Sequence, residues 1–475
     1  MHAPSPTFGA PVAQSRFETA LPHAAEAVDA WHGSTGALAR LLPPWQRVSL
    51  ESRRPGAGGD PLGDGARVVL RMKVGPFTTR WIAEHGARTP GRAFRDVQRS
   101  GPFARWEHEH RFDPDGPDAC VLRDNIEWVL PWAPVGGIVA GRFVRREIDR
   151  MFRFRHFRTA SDLARHTDPG TPGRWRIGIS GASGMVGQAL GAFLEAGGHK
   201  VVPLVRGGGG DEGIPWDPKA GTLDPAALEG LHAVVHLAGE PIAGRWTADK
   251  KRRIVESRDQ ATRLLARAMA EAKPAGGPQV LVSASAIGYY GDRGDTPLDE
   301  GAPPGEGFLP EVCKAWEAGT DPARDAGVRV VNLRIGVVLD AAGGALAQML
   351  PAFKLGVGGP VGGGDQVMSW IGLDDLIGIA HRAIWDDALE GPVNAVAPNA
   401  VTNRQFAKTL GRVLHRPAVL PLPAAVVRAL FGEMGQTLLL EGARVAPRRL
   451  LDRGHHFVTP DLEEALRLTL GRLDE

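Results

Sequence analysis

The residues best placed for chemistry begin with three glycines. Gly181, Gly184 and Gly187 recur at intervals of three in Gly181-Ala-Ser-Gly184-Met-Val-Gly187. An apolar run precedes them and an amphipathic run follows, so the glycines fall on a strand-to-helix turn. Such a turn lets backbone amides approach a pyrophosphate, and the helix N-terminus offers partial positive charge to the anion. Gly181, Ser183, Gly184, Met185, Val186 and Gly187 are the expected phosphate-side contacts. The next apolar run ends at Val205-Arg206-Gly207. An acid there would bond a ribose hydroxyl of NAD, whereas an arginine suits the extra phosphate of NADP. The expected cofactor is NADP, with Arg206 on its phosphate.

Groups that move protons are scarcer. Only two tyrosines occur, adjacent at Tyr289 and Tyr290, and only nine of the 56 basic residues are lysine. Ser283 and Ser285 alternate, so on a strand they share a face, and one of them would reach substrate or both would simply pack. Cys313 stands beside Lys314. A free cysteine is more often a small buried hydrophobe than a nucleophile.

These motifs together resemble the extended short-chain dehydrogenase/reductase family. His236-Leu237-Ala238-Gly239 is similar to its adenine-side motif, Ser283-Ala-Ser285 with Tyr290-Gly291 to its serine-bearing strand, and Leu333-Arg334 to a later strand. Gly239-Glu-Pro-Ile, Gly288-Tyr-Tyr-Gly291, Val312-Cys-Lys-Ala-Trp-Glu317 and Met368-Ser-Trp-Ile371 resemble the epimerase-family subgroup, which adds a C-terminal helical domain. The resemblance implies that Leu237, Ala238 and Gly239 also border the cofactor. It implies that Ser285 polarises a substrate oxygen and that Lys314 holds the ribose. The family places a tyrosine four residues before that lysine, because a phenol of pKa about 10 needs a nearby cation to exchange protons. Here that position is Pro310. Three repairs are open: Tyr289 or Tyr290 turns into the acid's place, Glu311 or Cys313 takes the role, or no hydride moves. Tyr290 is the expected donor, in a catalytic set of Ser285, Tyr290 and Lys314.

The elements that must position these residues divide the chain. Apolar runs at 174–180, 200–205, 233–237, 279–283 and 328–333 alternate with helical stretches at 186–196, 248–272 and 311–326. This predicts a Rossmann-like doubly wound α/β parallel sheet over 175–400. A mostly helical domain follows over 401–475, completing the substrate side. The Gly-rich stretch 356–364 lacks the Lys-Ser/Thr ending of a P-loop, so it is expected to form a mobile loop over the pocket. Asp374 is expected as a helix N-cap. The Pro/Gly-rich stretch 166–174 reads as a linker.

Residues 10–165 look different. Helical spacing over 24–42 is followed by strand-like stretches at 66–74, 78–85, 93–98, 105–112 and 119–130, then by a long amphipathic stretch over 135–163. This layout resembles a START-like, polyketide-cyclase-type α+β helix-grip domain, which implies a cavity for an apolar or aromatic ligand. Trp106, His108, His110 and Phe112 share one strand face by period two. That face is either a polar-aromatic cavity wall or ordinary sheet interior. Two histidines at i, i+2 could hold a metal, but no third ligand lies near in sequence, so none is expected. Arg95, Asp96 and Asp124 could pair across strands.

Composition narrows the rest. At 475 residues the chain exceeds any single small module. Hydrophobic content of 43% and charged content of 23% are those of a folded globular protein. A net charge of +2 with no basic cluster argues against a nucleic-acid partner. Two distant cysteines make no disulfide or zinc framework and fit a reduced, cytoplasmic setting. No signal peptide and no apolar run of membrane length are expected. The leading reading is an NADP-dependent oxidoreductase or epimerase acting on a small carbonyl or hydroxyl compound. The alternative is a non-catalytic NADP-binding regulator or assembly factor.

Overall fold

The computed structural model describes residues 12–74, 77–131, 137–168, 173–207 and 213–473. The expectations for residues 10–11, for the long helix before 137 and for the linker core at 169–172 lie outside them. Two compact units emerge, one built on Met1–Asp168 and one on Pro169–Leu194 with His199–Leu473.

The first unit is a seven-stranded antiparallel sheet. Its strands are β1 (Ala13–Leu21), β2 (Val48–Arg54), β3 (Arg67–Val74), β4 (Phe77–Thr89), β5 (Ala93–Ser100), β6 (Arg105–Pro114) and β7 (Cys120–Val129), ordered β1-β7-β6-β5-β4-β3-β2. β7 alternates buried and half-buried residues without a break, and β6 buries Trp106, His108, His110 and Phe112 on one face. Charged residues such as Arg16, Glu18, Arg53 and Arg54 hide β1 and β2 from a hydrophobicity reading. The expected helix over 24–42 is two helices, α1 (Ala25–Gly33) and α2 (Ala37–Leu41). The break falls in Gly33-Ser-Thr-Gly36, where every residue is a weak helix former.

The long helix α3 (Gly137–His166) closes this unit. Ile148 and Phe152 pack with Trp106, Ile126 and Trp128 of the sheet. Further along, Asp162 takes a two-pronged bond from Arg40 of α2, at 2.7 and 2.8 Å, with both side chains at most 2% exposed.

The second unit is an eight-stranded sheet. In chain order it begins β8 (Arg176–Ser180), α4 (Met185–Ala196), β9 (Lys200–Val205), β10 (Ile214–Asp217), β11 (Thr222–Leu223), β12 (Ala233–His236), α5 (Ala248–Ala272) and β13 (Val280–Ala286). Strands Arg329–Ile335 and Gly391–Ala395 complete it. The spatial order is β11-β10-β9-β8-β12-β13, then 329–335, then 391–395. All pairs run parallel except β10 with β11. Strand side chains divide between two cores. Ile177, Ile179 and Val235 pack with Leu190 and Phe193 of α4 on one face. Val234 and Leu281 pack with Leu265 and Met269 of α5 on the other. Parallel strands covered on both faces read as continuous apolar runs, which is why most were visible in sequence. The edge strand Gly391–Ala395 was not, because Gly-Pro-Val-Asn-Ala carries no such run.

From Val401 onward short helices predominate, the longest being Asn403–Leu414 with a Thr402/Gln405 capping box. The expected cap at Asp374 is corrected: Gly372 is the N-cap of helix Leu373–Trp385, and Asp374 lies in its first turn. Its neighbour Asp375 is fully buried and accepts from Val458 N, Thr459 N and Thr459 Oγ1 at 2.7–3.0 Å. Within the Gly-rich stretch, backbone bonds join Pro360 and Gly362 to Leu422 at 2.8–2.9 Å. A Cβ on Gly359 would lie 2.1 Å from the Leu420 oxygen. Close packing on the 420–422 segment therefore accounts for Gly359 and ties down part of the stretch that was expected to be mobile. Among the described residues, no helix is long and apolar enough to cross a membrane.

The Arg40–Asp162 fork has a measurable consequence. Truncating one partner leaves the other as a buried uncompensated charge, at a cost of about 3–5 kcal/mol. Asp162→Ala should lower the opening free energy read by hydrogen exchange at the β4–β7 amides by that amount while leaving the β8–β13 amides unchanged. Equal protection in parent and variant would show that the fork is not structural.

Candidate functional site

β8 ends in Gly181, whose φ of +73° turns the chain out of the strand. A Cβ at Gly181 would lie 2.9 Å from Ala238 N and from the Leu237 carbonyl carbon, so the loop crosses the end of β12 too closely for any side chain. A Cβ at Gly187 would lie 2.2 Å from the Gly181 oxygen. The first turn of α4 is thus pressed against the loop. Gly184 N donates to Gly181 O at 3.0 Å, and Gln188 Nε2 donates to Ser183 O at 2.9 Å. Ser183 and Gly184 are exposed at the rim, while Met185 and Val186 are half-buried. Bare backbone at a helix N-terminus is the surface a pyrophosphate needs.

The neighbouring strands complete this edge. Because β8, β9 and β12 are parallel and adjacent, their C-terminal ends emerge together. Leu237, Ala238 and Gly239 follow β12, and Leu237 N donates to Ser180 O at 3.1 Å. Arg206 follows β9 and is exposed. Beneath the loop, Ser180 Oγ lies 2.6 Å from His236 Nδ1. Burial, with Arg258 adding to it, holds His236 down at about 4, so its imidazole is neutral.

The expected catalytic residues are arranged differently from the expectation. Ser285, on β13, has Arg334 as its cross-strand neighbour, and Arg334 has Asn394. Helix Phe308–Ala318 supplies Glu317. Ser285 Oγ donates to Glu317 Oε1 at 2.8 Å, and Arg334 clasps the same carboxylate through Nε at 2.8 Å and Nη2 at 2.9 Å. Burial works against charge on Arg334, but the bonds to Glu317 outweigh it and raise its pKa. Tyr290 is fully buried. Its hydroxyl donates to Asn394 Oδ1 at 2.7 Å and accepts from Arg334 Nη1 at 3.0 Å. Burial pushes this phenol up, with Arg334 only partly offsetting it. A general acid must meet its substrate. The enclosed and doubly bonded Tyr290 hydroxyl is therefore a positioning group in this structure, which corrects the expectation of a donor.

The other repairs fare no better. Cys313 is buried with its Sγ 3.6 Å from Ala286 O, and burial followed by the Glu317 charge pushes its thiol up to about 12. It is not a nucleophile near neutral pH. Pro310 lies on the buried face of the helix. Lys314 is 41% exposed and pairs at 2.5 Å with Glu311, itself exposed. Tyr289 is half-buried, with the Arg334 guanidinium 3.5 Å from its ring centroid. Ser283 is fully buried on β13. Glu317, Arg334 and Asn394 were missed as site residues. Glu317 and Arg334 stood inside quoted motifs, but only the strand register reveals that they meet.

The first unit holds a separate cavity. Its walls include Leu41, Val68, Leu70, Phe94, Trp106 and Met151, with Asp96, His108 and His110 on one side. It leaves about 150 Å³ open to the centres of water-sized molecules.

Comparison with known proteins bears on both units. Residues 177–394 match the model of the NAD dependent epimerase/dehydratase family, and residues 422–468 match a domain of unknown function. An epimerase family protein of Mycobacterium bovis is 42% identical over 292 residues, covering 61% of this chain and 96% of that protein. The human epimerase family protein SDR39U1 is 38% identical over 296 residues, covering 62% of this chain and 98% of that protein. Its crystal structure, solved with NADPH, aligns with a TM-score of 0.58 at 37% identity, over 62% of this chain and 99% of that one. A structure described as the nucleoside-diphosphate sugar epimerase of Corynebacterium glutamicum aligns with a TM-score of 0.78 at 33% identity. It covers 96% of this chain and 90% of that one, so the likeness extends through the first unit. The parallel sheet, the glycine loop and this continuous similarity to whole relatives agree: the chain belongs to the NAD-dependent epimerase/dehydratase family.

Proposed function

We propose that the second unit binds NADP(H) and acts as an oxidoreductase or epimerase on a small carbonyl or hydroxyl compound. The observation that carries this reading is the glycine loop, which excludes a Cβ at Gly181 and Gly187 and presents backbone beside the exposed Arg206. The NADPH in the human relative's structure supports the same cofactor. Gly181, Ser183, Gly184, Met185, Val186 and Gly187 would hold the pyrophosphate, Leu237 to Gly239 the adenine side, and Arg206 the extra phosphate. When bound, the cofactor supplies a hydride donor or acceptor. Lys314 is the one member of the expected catalytic set that keeps solvent access, so ribose holding and proton exchange are assigned to it. Ser285 and Tyr290 hold the floor of the site through Glu317, Arg334 and Asn394. The helical segment 401–475 completes the substrate side.

A second reading, a non-catalytic NADP-binding regulator, is favoured by one observation. Both hydroxyls of the expected triad are consumed by buried bonds. Turnover across a panel of aldehydes and ketones separates the readings, since the regulator would bind NADPH tightly and turn over nothing.

For the first unit we infer a helix-grip module with an apolar or aromatic ligand. Support comes from its order of one strand, two short helices, six antiparallel strands and a long final helix, and from its apolar-walled cavity.

Three outcomes are expected. Arg206→Asp should cut the preference for NADPH over NADH by at least about tenfold, the loss of one charge-assisted contact. An unchanged preference in fluorescence titrations would remove the cofactor assignment. Tyr290→Phe should destabilise the second unit by about 1–3 kcal/mol, because Asn394 and Arg334 lose a buried partner. Any hydride transfer found in the panel should survive it, and its abolition with cofactor affinity intact would restore Tyr290 as the donor. Cys313 should resist iodoacetamide at pH 8 in the native protein and react only on unfolding. Stoichiometric labelling of the folded chain, read by mass spectrometry, would contradict its assignment as an inert thiol.

A further inference from the structure

The antiparallel register of the first unit sets polar side chains in rows. His85 stands opposite Asp96, and Asp96 opposite His108. On the adjacent row His110 stands between Phe94 and Asp124. None of these residues enters the chemistry assigned to the second unit. Sequence proximity offered no third ligand for His108 and His110, but the β5–β6 pairing supplies one. Asp96 Oδ2 lies 3.0 Å from His108 Nδ1 and 3.8 Å from His110 Nε2. Tetrahedral bonds of about 2.0–2.1 Å separate neighbouring ligand atoms by roughly 3.4 Å. The two observed distances bracket that value.

The residues behind these three point the same way. Asp124 Oδ1 lies 2.9 Å from His108 Nε2 and 2.7 Å from His110 Nδ1, the latter off the hydrogen-bond axis. Its other oxygen is 2.7 Å from His156 Nε2, and His156 Nδ1 is 2.8 Å from Thr19 Oγ1. One buried carboxylate therefore faces the far nitrogens of both imidazoles. Its hydrogen bond to His108 Nε2 favours N–H there and turns His108 Nδ1 toward Asp96, while His110 Nδ1 lies within ion-pair reach of the same oxygen. A carboxylate bonded to the remote nitrogen is how proteins orient a metal-ligating histidine. Asp96, His108 and His110 also line the cavity, which leaves room for further ligands on the open side.

We propose that Asp96, His108 and His110 bind a divalent transition-metal ion at the cavity wall, with Asp124 as the carboxylate that orients His108 and stands beside the far nitrogen of His110. Two imidazoles and one carboxylate suit zinc, cobalt or ferrous iron better than magnesium or calcium. Coordination uses the lone pair of His108 Nδ1, so any proton held there is released to solvent on binding. None of its residues is among those assigned to NADP.

The test uses the full chain without a histidine tag, stripped with a chelator and titrated with Co²⁺. One equivalent should bind with visible absorption of nitrogen/oxygen coordination. The ring resonances of His108 and His110 should move far outside their diamagnetic range. Asp96→Asn and His110→Ala should abolish stoichiometric binding, and Asp124→Asn should weaken it by about 10–100-fold. Far-UV circular dichroism equal to the parent's would show that these variants fold. The proposal is overturned if the stripped parent takes up no equivalent of Co²⁺. It is equally overturned if the His108 and His110 resonances stay in place on loading, or if folded Asp96→Asn binds as the parent does.

Discussion

The clasp between Arg334 and Glu317 governs the centre of the second unit. Arg334 is nearly sealed from solvent and Glu317 is mostly so. Taking one partner away would strand a charge where its desolvation is not repaid. The remaining bonds of both residues then fix what surrounds them. Glu317 takes the Ser285 hydroxyl, and Arg334 donates to the Tyr290 hydroxyl and covers the Tyr289 ring. One ion pair thus joins two strands, a helix and the turn Ile287–Tyr290. It also explains why the Ser285 and Tyr290 hydroxyls, both in the expected catalytic set, are held in buried hydrogen bonds. Their hydrogen bonds stabilise a buried charge pair, and freeing either would expose that pair to an unmet bond.

The cofactor edge obeys another constraint, and obeys it separately. Gly181 and Gly187 are set by steric closeness of backbone to backbone, not by charge. The loop, Arg206 and the end of β12 are brought together by parallel pairing of three consecutive sheet neighbours. Nothing in that geometry depends on Ser285 or Tyr290. The shape of the cofactor edge is therefore set independently of the bonds that hold Ser285 and Tyr290. Pro310 belongs to the same picture. It sits on the buried face of the helix that delivers Glu317, where a tyrosine hydroxyl would need a partner of its own.

What could be read from sequence follows from how far apart the determinants lie. The glycine loop is seven consecutive residues with flanking strand and helix, so its conformation is encoded locally. The parallel strands announce themselves because burial on both faces leaves unbroken apolar runs. β1 and β2 do not, since β1 buries residues on one face only and β2 is exposed along most of its length. The Ser285–Arg334–Asn394 row was illegible for a different reason. Its members are spread over 109 positions, and only strand register makes them neighbours. Tyr290 was expected as the donor because Pro310 fills the family's tyrosine position, whereas the surrounding register decides where its hydroxyl points.

The same rule operates in the first unit with a different outcome. Asp124, His108 and His110 of the sheet and His156 of α3 are buried, and Asp96 is half-buried beside them. In the second unit the buried carboxylate of Glu317 is neutralised by a permanent cation. Here the partners of the carboxylates are imidazoles, whose charge depends on what occupies their nitrogens. Burial drives Asp124 toward protonation, yet the surrounding imidazoles hold its pKa well below the usual range. Two buried carboxylates need positive charge around them; Arg155 on the same cavity wall acts on both, and a proton or a metal ion among the imidazoles would add to it. The cluster's position on a cavity wall means that such a cation would be reachable by whatever enters, which Arg334 beneath its tyrosines is not.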